Sequence, residues 1–166
     1  MESLVEKARC YAEEKHRGQY RHDKITPSIT HPKGVVGLLE DIGIHDENIL
    51  ASGWLHDVVE DCKVTVLELE REFNPEVARI VGALTSDVDR EMYKERIAKS
   101  DYAIKIIKLA DVVHNCSYLY SSSKGTIGRK IKDSEDFYLP LARQLCFRFY
   151  GLLFRHISLA KDLLND

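Results

Sequence analysis

Apolar residues recur at three- and four-residue intervals along most of this chain, the spacing of buried helix faces. From Ser3 to Arg17 the stripe is Leu4, Val5, Ala8, Tyr11 and Ala12; Ser3 and Glu6 form a capping-box pattern and Gly18 supplies the stop. His31-Pro32 opens a second helix, since proline is tolerated in a first turn, and Val35, Val36, Leu38, Leu39 and Ile42 carry it to Gly43. Asp46 is placed to cap a third helix that the pattern runs unbroken to about Asp61, through Ile49, Leu50, Trp54, Leu55, Val58 and Val59. Thr65 and Glu68 frame another capping box, with Val66, Leu69 and Phe73 inward. Asn74-Pro75 breaks the chain, and residues 76–85 follow as a short helix with Val77, Ile80, Val81 and Leu84 inside. A charged helix over 92–99 precedes a long stripe of Ala103, Ile106, Ile107, Ala110, Val113 and Ser117. The serine- and glycine-bearing stretch 121–134 reads as a loop, and residues 136–164 as one or two closing helices. The pattern predicts an all-α fold, a single-domain helical bundle over residues 1–166.

Composition agrees with a packed domain. Hydrophobic residues make up 44% and charged residues 31%, a globular rather than a disordered mix. The formal net charge of −3 provides no field for a long polyanion, so nucleic acid is not expected as a partner, while a small anionic ligand held by local basic groups is. No apolar run nears the ~20 residues of a membrane span, and the amphipathic start MESLVEKARC is no signal peptide. Cys10, Cys62, Cys116 and Cys146 stand apart without a CxxC pair. They read as small buried hydrophobes with reduced thiols in a cytoplasm.

The chemistry concentrates in two apolar helical runs. ILASGWLHDVVED places His56, Asp57, Glu60 and Asp61 among buried positions, where a continuous helix would gather them on one broad face. Three acids and an imidazole against a core need a partner, and a divalent cation is the simplest. An exposed acidic helix end is the bland alternative, but the interleaved Trp54, Leu55, Val58 and Val59 fit it poorly. In the second run Lys108, Asp111 and Asn115 lie on one face beside the apolar stripe. Lys124, Arg129, Lys130 and Lys132 make the 121–134 stretch the most basic in the chain. It is either a solvated surface loop or a mobile flap that brings charge to a pyrophosphate.

The His56-Asp57 pair followed by Glu60-Asp61 resembles the HD-domain metal-dependent phosphohydrolases, and the presence of both acids resembles the branch that hydrolyses (p)ppGpp, guanosine tetra- and pentaphosphate. KHRGQYR followed by THP, and KLAD followed by HN, extend the likeness over roughly Ala12 to Leu145. The resemblance implies a bundle of the HD-domain type with His31, His56, Asp57 and Asp111 as metal ligands. Two imidazoles and two carboxylates suit Mn²⁺, Fe²⁺ or a similar ion, and the family favours Mn²⁺. It also implies Glu60 and Asp61 as the hydrolytic pair, with Arg21, His22, Lys108, Asn115 and Tyr138 at the substrate. The implied activity is removal of the 3′-pyrophosphate from ppGpp or pppGpp, giving GDP or GTP and pyrophosphate.

A chain closing at Asp166 is expected to be a stand-alone hydrolase, its oligomeric state left open. Three positions depart from the family pattern: His22 replaces a lysine, Ser28 an aromatic residue, and Val112 a basic residue. They keep open an HD hydrolase acting on another nucleotide, such as a nucleoside monophosphate. A non-catalytic nucleotide-binding module is the remaining alternative.

Overall fold

The computed structural model describes residues 2–165. Eleven α-helices follow one another: α1 Leu4–Lys15, α2 Thr30–Asp41, α3 Glu47–Leu55, α4 Val58–Asp61, α5 Val66–Glu72, α6 Pro75–Leu84, α7 Arg90–Lys99, α8 Tyr102–Ser117, α9 Lys124–Asp133, α10 Leu139–Leu145 and α11 Phe147–Asn165. A short 3₁₀ turn at Leu119–Ser121 and a π-turn at Ser134–Tyr138 join the last four. Tyr20 and Pro27 form one isolated antiparallel bridge, and the described residues contain no strand.

Short polar side chains start these helices by accepting backbone N–H groups left free in a first turn. Ser3 accepts from Glu6, Asp46 from Asn48 and Ile49, Thr65 from Glu68, Asn74 from Val77, Asp89 from Glu91 and Met92, and Asp101 from Ile104. Gly18 and Gly43 close α1 and α2 at φ +77° and +84°, values that other residues adopt only with strain. Helix α8 is the spine. It is buried through Ile104, Ile106, Ile107, Leu109, Ala110, Asp111, Val113 and Cys116, and α2, α3, α6, α7 and α11 pack around it. Among the described residues no helix is long and apolar enough to cross a membrane.

Four expectations are corrected. The helix anticipated from Asp46 to Asp61 breaks at His56–Asp57, where Asp57 takes φ −100° and ψ −7°; α3 ends at Leu55 and α4 begins at Val58. Residues 124–133 form helix α9 rather than a loop, because Ser123 caps it and Ile127 and Ile131, one turn apart, are buried. Serine and glycine content concealed that apolar pair. Val66 is 38% exposed, not inward, since it lies across the outer side of Gly82. Only Cys116 of the four cysteines is buried; Cys10 is exposed, Cys62 and Cys146 are intermediate, and all four thiols are free.

Two helical glycines make opposite predictions. A Cβ on Gly37 meets nothing within 4 Å, whereas one on Gly53 would lie 3.1 Å from Val36 and 3.2 Å from Leu39 in the core. Gly37→Ala is expected to stabilise the fold by about 0.5–1 kcal/mol in urea unfolding, as glycine-to-alanine changes do inside helices. Gly53→Ala is expected to stabilise less or to destabilise.

Candidate metal centre

Four side chains from separate elements converge. His31 comes from the first turn of α2, His56 from the end of α3, Asp57 from the break before α4, and Asp111 from the middle of α8. His31 Nε2 lies 3.1 Å from His56 Nε2, 3.4 Å from Asp57 Oδ2 and 3.1 Å from Asp111 Oδ1. His56 Nε2 lies 3.2 Å from Asp57 Oδ1 and 4.0 Å from Asp111 Oδ1. His31, His56 and Asp111 are buried and each offers an atom within 4.8 Å of the others. Asp57 stands at the junction of α3 and α4, where its carboxylate meets the ring of the residue before it.

The donor set fits a divalent cation. His56 Nδ1 donates to the Gly53 carbonyl at 2.8 Å, which leaves Nε2 to face the cluster with its lone pair. Burial opposes charge on His56, but the Asp57 carboxylate outweighs it and pushes the ring up to about 9. Asp57, against its own burial, is drawn down to about 2 by His56. The two carboxylates thus demand positive charge at one point, and a metal ion satisfies the same demand with both rings neutral. Two nitrogens and two carboxylates with no thiolate suit Mn²⁺ or a similar ion better than a closed zinc site.

Lys108 and Asn115 hold Asp111 from outside. Lys108 Nζ donates to Asp111 Oδ2 at 2.8 Å and Asn115 Nδ2 to Asp111 Oδ1 at 2.5 Å. Burial works against both charges, yet their mutual attraction keeps Asp111 well below and Lys108 well above their usual ranges. Arg21 Nη2 donates to Asn115 Oδ1 at 3.0 Å, and its guanidinium lies 5.0 Å from the Tyr118 ring centre. Arg21, from the 17–29 connection, is thereby tied to α8.

Three cavities surround the cluster. The largest, about 560 Å³, is lined by Arg21, His22, Ser28, His31, Asp57, Asp61, Asn115, Tyr118 and Lys130 among others. A second, about 310 Å³, lies between α7, α8, α9 and the π-turn, with Arg90, Lys108, Val112, Asn115, Arg129, Lys130 and Tyr138. A third, about 210 Å³, holds Glu60 with His56, Asp57, Ser86, Tyr93, Lys108, Asp111 and Asn115. Glu60 and Asp61, expected side by side, line different cavities on the two sides of Asp57. Burial pushes both carboxyls up. The Ser86 N–H, 2.6 Å from Glu60 Oε1, works against this at Glu60, and the Asp57 charge adds to it at Asp61. Burial pushes Tyr138 up to about 12.

All eleven residues singled out from the sequence therefore border this region. Lys94, Arg96 and Lys99, which the sequence left as possible phosphate contacts, pair with carboxylates: Lys94 with Asp133 at 3.1 Å, Arg96 with Asp87 at 2.5 Å and Lys99 with Glu95 at 2.6 Å. Sequence reasoning missed three side chains. Tyr118 carries Arg21. His114 Nδ1 sits 2.8 Å from His31 Nδ1, and burial, with the nearby charges, draws that ring down to about 4. His16, buried beside Asp61, donates to Gln19 at 2.8 Å and leaves Nε2 without a partner at the wall of the largest cavity. His16 and His114 lie inside the quoted KHRGQYR and HN segments, and the spacing of three from Asp111 to His114 was a further signal; Tyr118 had none.

Comparison with known proteins gives a consistent picture. Residues 8–147 match the HD_4 family model, described as an HD domain. The chain is 34% identical over 154 residues to a probable guanosine-3′,5′-bis(diphosphate) 3′-pyrophosphohydrolase of Synechocystis sp., covering 86% of this chain and 20% of that protein. It is 31% identical over 157 residues to a GTP pyrophosphokinase of Myxococcus xanthus, again covering 86% of this chain and 20% of the other. The chain thus spans about a fifth of the length of these curated relatives. The solved structure of a metazoan ortholog of SpoT, which hydrolyzes ppGpp and plays a role in starvation responses, superposes with a TM-score of 0.70 at 29% identity, covering 95% of this chain and 93% of that one.

Metal binding predicts a stability change. Mn²⁺ at a hundredfold excess over its dissociation constant is expected to raise the unfolding free energy by about 2.7 kcal/mol, seen as a higher melting temperature. Asp111→Ala is expected to remove that increment. A wild-type melting temperature indifferent to Mn²⁺, Fe²⁺ and related ions would contradict the assignment.

Proposed function

This chain belongs to the HD-domain family, and from that premise we propose that it is a metal-dependent hydrolase that removes the 3′-pyrophosphate from ppGpp and pppGpp. The observation that carries the reading is the meeting of His31, His56, Asp57 and Asp111 at one point between a nucleotide-sized cavity and a basic one. The names of the curated relatives and of the solved neighbour point to the same substrate class. Mn²⁺ is the proposed ion, and the free cysteines suit a reducing cytoplasm.

A cation bound by the four ligands supplies Lewis-acid polarisation of a phosphoryl oxygen and activation of water. The protein does the rest. Arg21, His22 and Tyr118 receive the base and sugar in the largest cavity, and Arg21 is pre-set by its bond to Asn115. Lys108, Arg129 and Lys130, with Tyr138, place positive charge and a hydroxyl where phosphate oxygens project into the second cavity. Glu60 takes the proton of the attacking water from the third cavity, its carboxylate oriented by the Ser86 N–H. Asp61 borders the reacting phosphate from the nucleotide side. Water attacks the phosphorus next to the ribose, the bond to the 3′-oxygen breaks, that oxygen takes up a proton to leave as the nucleotide's 3′-hydroxyl, and pyrophosphate is released.

His22, Ser28 and Val112 sit on the cavity walls, so the substrate assignment is tested by a nucleotide panel. With Mn²⁺, ppGpp and pppGpp are expected to release pyrophosphate, a chelator to stop release, and added Mn²⁺ to restore it. Glu60→Ala is expected to lower kcat by about 10²–10⁴ while Mn²⁺ binding persists. Cleavage of a nucleoside monophosphate with ppGpp untouched would replace the substrate. Nucleotide binding without hydrolysis of any kind would make the chain a binding module.

A further inference from the structure

We infer that His114 positions the metal-facing nitrogen of His31, and that Gly34 lacks a side chain because the His114 ring occupies that space. The inference rests on the metal-dependent reading above and extends it to a residue outside the four ligands.

The two imidazoles of the centre are secured differently. His56 is held through Nδ1 by a backbone carbonyl, that of Gly53. His31 is held through Nδ1 by a side chain, the Nδ1 of His114 at 2.8 Å, with ring centres 4.9 Å apart. His31 Nε2 faces His56, Asp57 and Asp111, so it must present a lone pair to a cation. A neutral imidazole then carries its single N–H on Nδ1, which donates to His114 Nδ1. Without that acceptor the His31 ring is free to rotate and to exchange its two nitrogens, and the site loses a pre-oriented donor.

The His114 ring is itself confined. A Cβ built on Gly34 would lie 2.1 Å from His114 Nε2 and 2.2 Å from Cδ2, an overlap that only a shift of the His114 ring relieves. Gly34 stands one turn after His31 on α2, so the same helix presents the ligand and the gap that admits its holder. On another side the Tyr118 ring lies 5.2 Å away, centre to centre. His114 thus links α8, which supplies Asp111, to α2, which supplies His31. Gly37, one turn beyond Gly34, has nothing near its missing Cβ and serves as the control.

The test is calorimetric titration of Mn²⁺ into the chelator-stripped full chain, with metal-free melting temperatures measured alongside. Wild type and Gly37→Ala are expected to bind alike. His114→Ala and Gly34→Ala are expected to bind Mn²⁺ about 10- to 100-fold more weakly, the usual effect of losing such a support. His114→Asn, whose carbonyl oxygen falls near the lost Nδ1, is expected to recover most of the affinity. Wild-type affinity in a folded His114→Ala overturns the inference. So does a loss in His114→Ala that His114→Asn does not repair. Should Gly34→Ala fail to fold, the His114 pair decides alone. A wild-type chain that takes up no Mn²⁺ removes the metal-dependent reading itself, an outcome distinct from wild-type binding with unaffected variants.

Discussion

Asp57 and Asp111 place two carboxylates around the same two imidazole nitrogens, inside a helical core. Such a cluster is tolerable only if positive charge is supplied at its centre, because like charges repel strongly where water is scarce. Lys108 answers part of the demand by holding the outer oxygen of Asp111. A divalent cation would answer the rest. The surrounding fold keeps these four groups converging: α2 brings His31, the α3–α4 junction brings His56 and Asp57, and α8 brings Asp111.

The segment His56–Asp61 divides its polar groups between two cavities. His56 and Glu60 line one and Asp61 the other, while Asp57 borders both. In the proposed reaction one acid would serve the attacking water while the other would border the nucleotide. Asn115 joins the two halves, since it reaches Asp111 with one end and Arg21 with the other. A change in how Arg21 is held is therefore felt at the metal ligand through a single amide.

Much of this was legible beforehand, for identifiable reasons. Strong apolar periodicity revealed α1, α2, α6 and α8, and capping residues at Ser3, Asp46 and Thr65 marked where helices begin. His56, Asp57 and Asp111 were conspicuous as charged groups in apolar runs, while His31 was suggested as a ligand only by the family resemblance. The helix break was invisible because Val58 and Val59 continue the apolar spacing, so the pattern reads straight through the bend. Helix α9 was hidden because its inward face is only two isoleucines among serines, glycines and lysines. His114 was overlooked because nothing in linear sequence shows that α2 and α8 approach closely enough at Gly34 for the ring to reach His31.

Crystals of the chain grown with Mn²⁺ and measured for anomalous scattering at the manganese edge address the central claim most directly. One strong anomalous peak is expected at the point where His31 Nε2, His56 Nε2 and carboxylate oxygens of Asp57 and Asp111 all lie at coordination distance. A well-ordered protein with no peak there, or with its only peak bound by other residues, would contradict it.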